Sequence, residues 1–174
     1  MADNGNFGQR ALATDASTWN QIQFAIQQLL MQVQTLTLVQ VVSVTNAGGL
    51  SPVGRVAVQP LVNQMTGDNV AVPHGVINDV PYVRLQGGAN AVIIDPVAGD
   101  IGICGFASRD ISSVKATRAQ ANPGSFRAFD FADGLYLGGV LNAVPTQVVR
   151  FHAGGIDITS PGVVTITASQ INLN

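Results

Sequence analysis

The sequence predicts a mainly β chain: an N-terminal α-helix, an OB-fold barrel, and a short C-terminal intertwined triple-stranded β-helix in a homotrimer. Three observations carry this expectation. Apolar residues recur at alternating steps of three and four from Trp19 to Leu36. Short apolar strands separated by Gly- and Pro-rich turns fill residues 38–106. An apolar/polar alternation then returns at Ile156 and, interrupted by a turn at Ser160-Pro161-Gly162 and a phase shift at Gln170, recurs to Asn174.

The helix is expected from about Ala16 to Leu36, a stretch free of Gly and Pro and rich in Gln, Leu, Ile and Met, which favours helix. Thr14, Asp15 and Ser17 each suit its N-cap. Its apolar residues form a heptad seam, with Trp19, Ile26 and Val33 at a and Ile22, Leu29 and Leu36 at d. Isoleucine at both kinds of site shifts preference from dimers towards trimers or higher. Helices of this length are marginal alone, so the seam implies a partner. The alternative is an amphipathic helix packed on its own chain. Phe24, Leu30 and Met31 lie off the seam and are expected to meet the next domain or an outside partner.

After Leu36 the period changes. Strands are expected over Leu38–Val44, Val53–Gln59, Val80–Leu85, Ala91–Ile94 and Ile101–Phe106, where β-branched residues alternate with polar ones or form short apolar runs. Five such strands fit an OB-type barrel, with a β-sandwich fragment as competitor. Residues 107–134 read as a long irregular segment of the kind that is usually functional or interfacial. It holds Arg109, Lys115, Arg118 and Arg127, half of the 8 basic residues. These four are expected at an inter-chain or partner contact, with Asp110, Asp130 and Asp133 available to pair with some of them. Strand character resumes over Gly134–Asn142 and Thr146–Phe151.

The last segment alternates through Ile156–Thr159 and Val164–Ala168, then shifts phase at Gln170. Strands this short cannot build a core in one chain. Three intertwined chains can, with Ile156, Ile158, Val164, Ile166, Ile171 and Leu173 turned to a shared axis. The expected divisions are an arm and helix over 1–37, a barrel over 38–112, a linker and hairpin region over 113–150, and a stalk over 151–174.

Composition narrows the function. Charged residues make up 10% of the chain, with no Glu and Lys115 as the only lysine, against about 25% in ordinary domains. Such a surface suits cover by other protein; a soluble Gly-, Ala- and Gln-rich protein is the plainer alternative. A net charge of −2 argues against a general nucleic-acid role. Residues 16–53 are uncharged but carry six glutamines between Gln21 and Gln34, which do not suit a membrane span. Met1–Gln9 lacks a basic region followed by an apolar stretch, so no secretory signal is expected. Cys104 lies in an apolar run and reads as a small buried hydrophobe.

No catalytic constellation is visible. The two histidines, His74 and His152, sit in no nucleophile motif, and the absence of Glu leaves no paired glutamates for acid–base work. One Cys and two separated His do not make a zinc site within a chain. No metal, cofactor or enzymatic activity is expected. The double-glycine sites match no phosphate loop and read as turns.

Gly99-Asp100-Ile101-Gly102-Ile103, then Ser108-Arg109-Asp110-Ile111-Ser112-Ser113-Val114-Lys115, then Ala121-Asn122-Pro123-Gly124-Ser125, then Phe129-Asp130-Phe131-Ala132-Asp133-Gly134-Leu135-Tyr136-Leu137-Gly138-Gly139 resembles the central spike, or membrane-piercing needle, proteins of contractile-tailed phages. The resemblance covers about residues 36–174 and is most specific over 99–139. It implies a homotrimer on the tail axis, with a baseplate hub protein on the N-terminal side and the host envelope met on contraction. It further implies residence in the virion tail baseplate after synthesis in the host cytoplasm. Longer members close their β-helix with an apex that often carries a His-x-His metal site. That motif is absent from this sequence, so either a separate tip protein at the C-terminal end or a stalk that stops early is expected. The alternative function is an oligomeric OB-fold binding module for nucleic acid or another protein.

Overall fold

In the computed structural model the described residues are 14–46, 49–50, 54–66 and 68–172. The expected N-terminal arm lies outside them except for Thr14, which is buried. So does Leu173. The chain divides into two units, Met1–Leu141 and Asn142–Asn174.

The first unit opens with a 3-10 turn, Thr14–Ala16, and helix α1, Thr18–Leu30. Ser17 caps the helix, its side chain accepting the Asn20 N–H at 3.2 Å. The helix is shorter than the expected Ala16–Leu36, and this corrects the seam. Trp19, Ile22, Ile26 and Leu29 lie on it; Val33 and Leu36 do not. The reason is competition from the sheet. The Gln34 N–H donates to the Phe129 carbonyl at 3.2 Å, and the Thr35 carbonyl accepts the Phe106 N–H at 2.9 Å. Thr35 and Thr37 are β-branched and favour the extended chain. Leu36 thus begins strand β1, Leu36–Val44.

The sheet continues through β2 (Arg55–Pro60), and a small hairpin, β3 (Gln64–Met65) and β4 (Ala71–Val72), leads to β5 (Ile77–Pro81). A second hairpin, β6 (Leu85–Gly87) and β7 (Asn90–Val92), precedes β8 (Ile101–Phe106). A short helix α2 (Ser112–Thr117) and a 3-10 turn (Phe131–Asp133) come before β9 (Gly134–Gly139). Residues 107–134 are therefore less irregular than expected. Five strands form one antiparallel sheet in the order β5-β2-β1-β8-β9, curled into a half-barrel. The two edges meet at one parallel bridge, Tyr82 to Tyr136, where the Val83 N–H donates to the Tyr136 carbonyl at 2.9 Å.

Two expected strands are placed differently. The run Val80–Leu85 is split between β5 and β6, and Ala91–Ile94 contributes to a hairpin outside the main sheet. The fifth sheet strand comes instead from 134–139, beyond the expected barrel boundary at 112.

Alternation builds the core. Val39 and Val41 of β1, Val56 and Val58 of β2, and Val80 of β5 point inward with Cys104, Tyr82 and Tyr136. Val42 faces outward by the same alternation, and a bulge between Val41 and Ser43 then breaks the pattern, leaving Ser43 exposed as well. Gly102 is required by close approach: a Cβ there would meet the Tyr136 ring and hydroxyl and the Gly138 carbonyl.

The second unit holds one hairpin, β10 (Val148–His152) and β11 (Gly155–Thr159). Residues 160–172 carry no strand, unlike the expectation for Val164–Ala168 and Gln170–Asn172. A strand needs a ladder partner, and a lone chain provides none there.

Candidate functional site

The candidate site is a set of exposed apolar surfaces. The first is the apolar side of α1, where Trp19 and Leu29 are 66% and 64% exposed. Ile22 and Ile26 between them are also exposed, as are Leu30 and Met31, whereas Phe24 is half-buried. No residue of α1 is buried. Val33 and Leu36 are exposed just beyond the helix.

The second is the β10–β11 hairpin, which has two unlike faces. Its register pairs Val149 with Ile158 and Phe151 with Ile156, while Arg150 pairs with Asp157 and Val148 with Thr159. Because side chains alternate along a strand, Val149, Phe151, Ile156 and Ile158 share one face. The other face carries an Arg150–Asp157 ion pair, with His152 Nε2 3.3 Å from the same carboxylate. All four apolar residues are at least 60% exposed. Val164, Ile166 and Ile171 are exposed as well. The sequence placed Ile156 and Ile158 on one face, and the structure puts them on the same side of the hairpin. Val149 and Phe151 were missed, although Val149-Arg150-Phe151-His152 alternates in the same sense and a Gly-containing turn follows.

Two of the four basic side chains of the long segment, Lys115 and Arg127, are engaged within the chain. Arg127 donates to Asp133 from Nε at 2.6 Å and from a terminal nitrogen at 2.9 Å, and to Asp110 at 2.8 Å. Asp133 also accepts the Ile111 N–H at 2.9 Å. Both carboxylates are buried. The Ser112 hydroxyl foremost, then the Ser112 N–H and the Ser125 hydroxyl, holds Asp110 down at about 2. Arg127 foremost holds Asp133 below the usual carboxylate range. The cluster ties the 110, 125–127 and 133 stretches of the long connection together. Lys115 reaches Asp79 at 3.1 Å, and Arg55 meets the same carboxylate at 2.9 Å. An open cleft of about 360 Å³ includes Arg55, Asp79, Lys115 and Arg127 in its lining. With Asp110 and Asp133 behind Arg127, three cations there face three carboxylates, a balance with no excess positive charge for phosphates. Arg109 and Arg118 are exposed.

Cys104 is fully buried, and burial pushes its thiol up to about 11. Among the described residues no group of three or more His, Cys, Asp or Glu is placed to hold a metal ion. No helix among them is long and apolar enough to cross a membrane.

No protein-family model matches the chain, and no curated protein matches it.

Proposed function

We propose that this chain is the trimeric central spike of a contractile phage-tail baseplate, joining hub to tip and helping to pierce the host envelope when the tail contracts. The observation that carries the reading is the second unit. A hairpin with one wholly apolar side and one ion-paired side has nothing among the described residues of its own unit to cover it. Three copies with those sides turned inward make a dry axis and a polar exterior, which is the geometry of an intertwined β-helical stalk. The strand order β5-β2-β1-β8-β9 with parallel closure from β5 to β9 supports an OB barrel for the first unit.

The mechanism is mechanical. Strands shared among chains exchange backbone hydrogen bonds across subunits, so one chain cannot fray by itself. The stalk transmits an axial push and needs no reacting group. The hub is met on the α1 side and a separate tip protein at the stalk end, in the assembled virion. The alternative of an oligomeric OB module binding nucleic acid is disfavoured by the neutralised cleft, since such binding needs a basic groove.

Light scattering after size exclusion tests the reading, run with and without mild denaturant. A denaturant-resistant particle of three times 18.0 kDa is expected. A monomer under both conditions overturns it.

A further inference from the structure

The long connection carries two cations and one aromatic ring that the spike reading does not use. Among the described residues, Arg109 and Arg118 are the basic side chains without a carboxylate partner; Arg55, Arg84, Lys115, Arg127 and Arg150 each meet one. Both are exposed. Phe126, on the same connection, is 107% exposed, more than any other large apolar residue described. The backbone beneath all three is fixed. Phe126 lies between Ser125 and Arg127, and both of those donate to the buried Asp110 carboxylate, at 2.7 and 2.8 Å. Asp110 also accepts the Ser112 N–H at 2.8 Å, at the start of α2, and Arg109 is its neighbour in the chain. Gly124 lies against the same place, since a Cβ there would meet the Ser112 hydroxyl and Asp110. One carboxylate thus holds the footing of both Arg109 and Phe126. Arg118 closes α2 with a left-handed φ of 54, its N–H donating to the Val114 carbonyl at 2.8 Å. Glycine is the usual residue in that place. A chain with 19 glycines that has arginine there keeps a charged side chain at a conformational cost.

We infer that Arg109, Arg118 and Phe126 form a docking surface for a different protein, one that presents an acidic segment with an apolar side chain. Charge complementarity sets the acidity. Two cations stand without counter-charges in a chain that has few charges, and a carboxylate pairs with a guanidinium through two parallel hydrogen bonds. A second copy of this chain is a poor match. Each described aspartate already holds a cation, a hydrogen bond or another electrostatic partner, and there is no Glu. Phe126 sets the apolar part, since aromatic and arginine side chains carry much of the energy of protein interfaces. A side chain on a fixed footing also leaves less to order on docking. A nucleic acid fits less well. A single strand follows a basic groove, whereas the cleft beside α2 is neutralised by Asp79, Asp110 and Asp133. The inference does not require the trimer.

The test presents the full chain to a library of displayed random peptides and synthesises those that are enriched. Their affinity is measured for the wild type, for Phe126→Ala and for the double variant Arg109→Gln/Arg118→Gln, with native mass and thermal midpoint recorded for each. These side chains take no part in the Asp110 contacts, so both variants are expected to melt as the wild type does. The enriched peptides are expected to carry Asp or Glu beside an apolar residue. Each variant is expected to bind them about tenfold more weakly, the loss of a hot-spot side chain, with native mass unchanged. No enrichment, enrichment without acidic residues, or wild-type affinity in either variant overturns the inference. Tighter binding of an oligothymidylate through the same residues overturns it in favour of nucleic acid. A lower native mass in either variant overturns it in favour of a second copy.

Discussion

Replacing Phe151 with alanine is the sharpest probe of the stalk. In the single chain Phe151 is 74% exposed and touches its own hairpin mainly through Ile156 across the ladder. Its ring therefore contributes little to the folding of one chain, on the order of 0.2–1 kcal/mol for a cross-strand pair. Burial of the exposed part at a shared axis contributes about 1.5 kcal/mol per chain, taking ~1.5–3 kcal/mol for full burial. Three chains lose about 5 kcal/mol together, between three and four powers of ten in the assembly constant. Because three chains associate, the midpoint concentration moves as the square root of that constant, roughly 50-fold. The assay is native mass against protein concentration, in a fixed modest urea concentration that brings the wild-type midpoint into reach. Arg150→Ala, on the opposite face, is the control and is expected to move the midpoint less than about threefold, since exposed ion pairs contribute little. An unchanged midpoint for Phe151→Ala, or equal shifts for the two variants, would refute an apolar axis built from this face.

Other consequences are open to direct measurement. Asp110 sits at about 2 against an ordinary 3.8, and Asp133 is lowered as well. Groups with depressed folded-state values stabilise fully above their unfolded values and lose that contribution as pH falls towards the folded ones. The thermal midpoint is therefore expected to fall between about pH 4 and pH 2, less steeply in Asp110→Asn; equal slopes would remove the cluster from the explanation. Gly102→Ala forces a methyl against the Gly138 carbonyl and Tyr136. It is expected to destabilise by about 1–3 kcal/mol in urea unfolding, and a wild-type transition would show that the β8–β9 contact yields. Cys104, buried and pushed up to about 11, is expected to resist a thiol reagent at pH 8 until denaturant is added; prompt labelling of the folded chain would contradict its burial.

Much of the curled sheet was readable where a strand has one wet and one dry face. Val39 and Val41, Val56 and Val58, and Ile101–Phe106 announce themselves by alternation or by β-branched runs. Reading failed where local pattern fits two outcomes. Leu36 satisfies a heptad as well as it begins a strand, and only the distant carbonyl of Phe129 and amide of Phe106 decide between them. Ala91–Ile94 looks like a barrel strand, but a short apolar run does not say which neighbour it pairs with. The fifth strand, Gly134–Gly139, closes on β8 across a long connection whose folding depends on Arg127 finding Asp110 and Asp133. The acidic partners were visible in the sequence; their choice of Arg127 over Arg109 or Arg118 depends on three-dimensional placement. Half of the hairpin's apolar face was legible. The other half, Val149 and Phe151, becomes apparent only when the register folds the two strands together.

The order of strands also fixes how the first unit carries a load. A pull or push arriving through α1 enters the sheet at Leu36, the start of β1, and leaves at Gly139, the end of β9. Both strands pair antiparallel to β8, so they run parallel to each other and their loaded ends lie at opposite edges of the ladder. Tension along that path slides β1 and β9 past β8 instead of peeling them away. The ladder bonds are strained side by side, and rupture requires several to break at once. A strand pair loaded from one edge would open one bond at a time, like a zip. This topology sets the sheet in the stiffer of the two loading geometries.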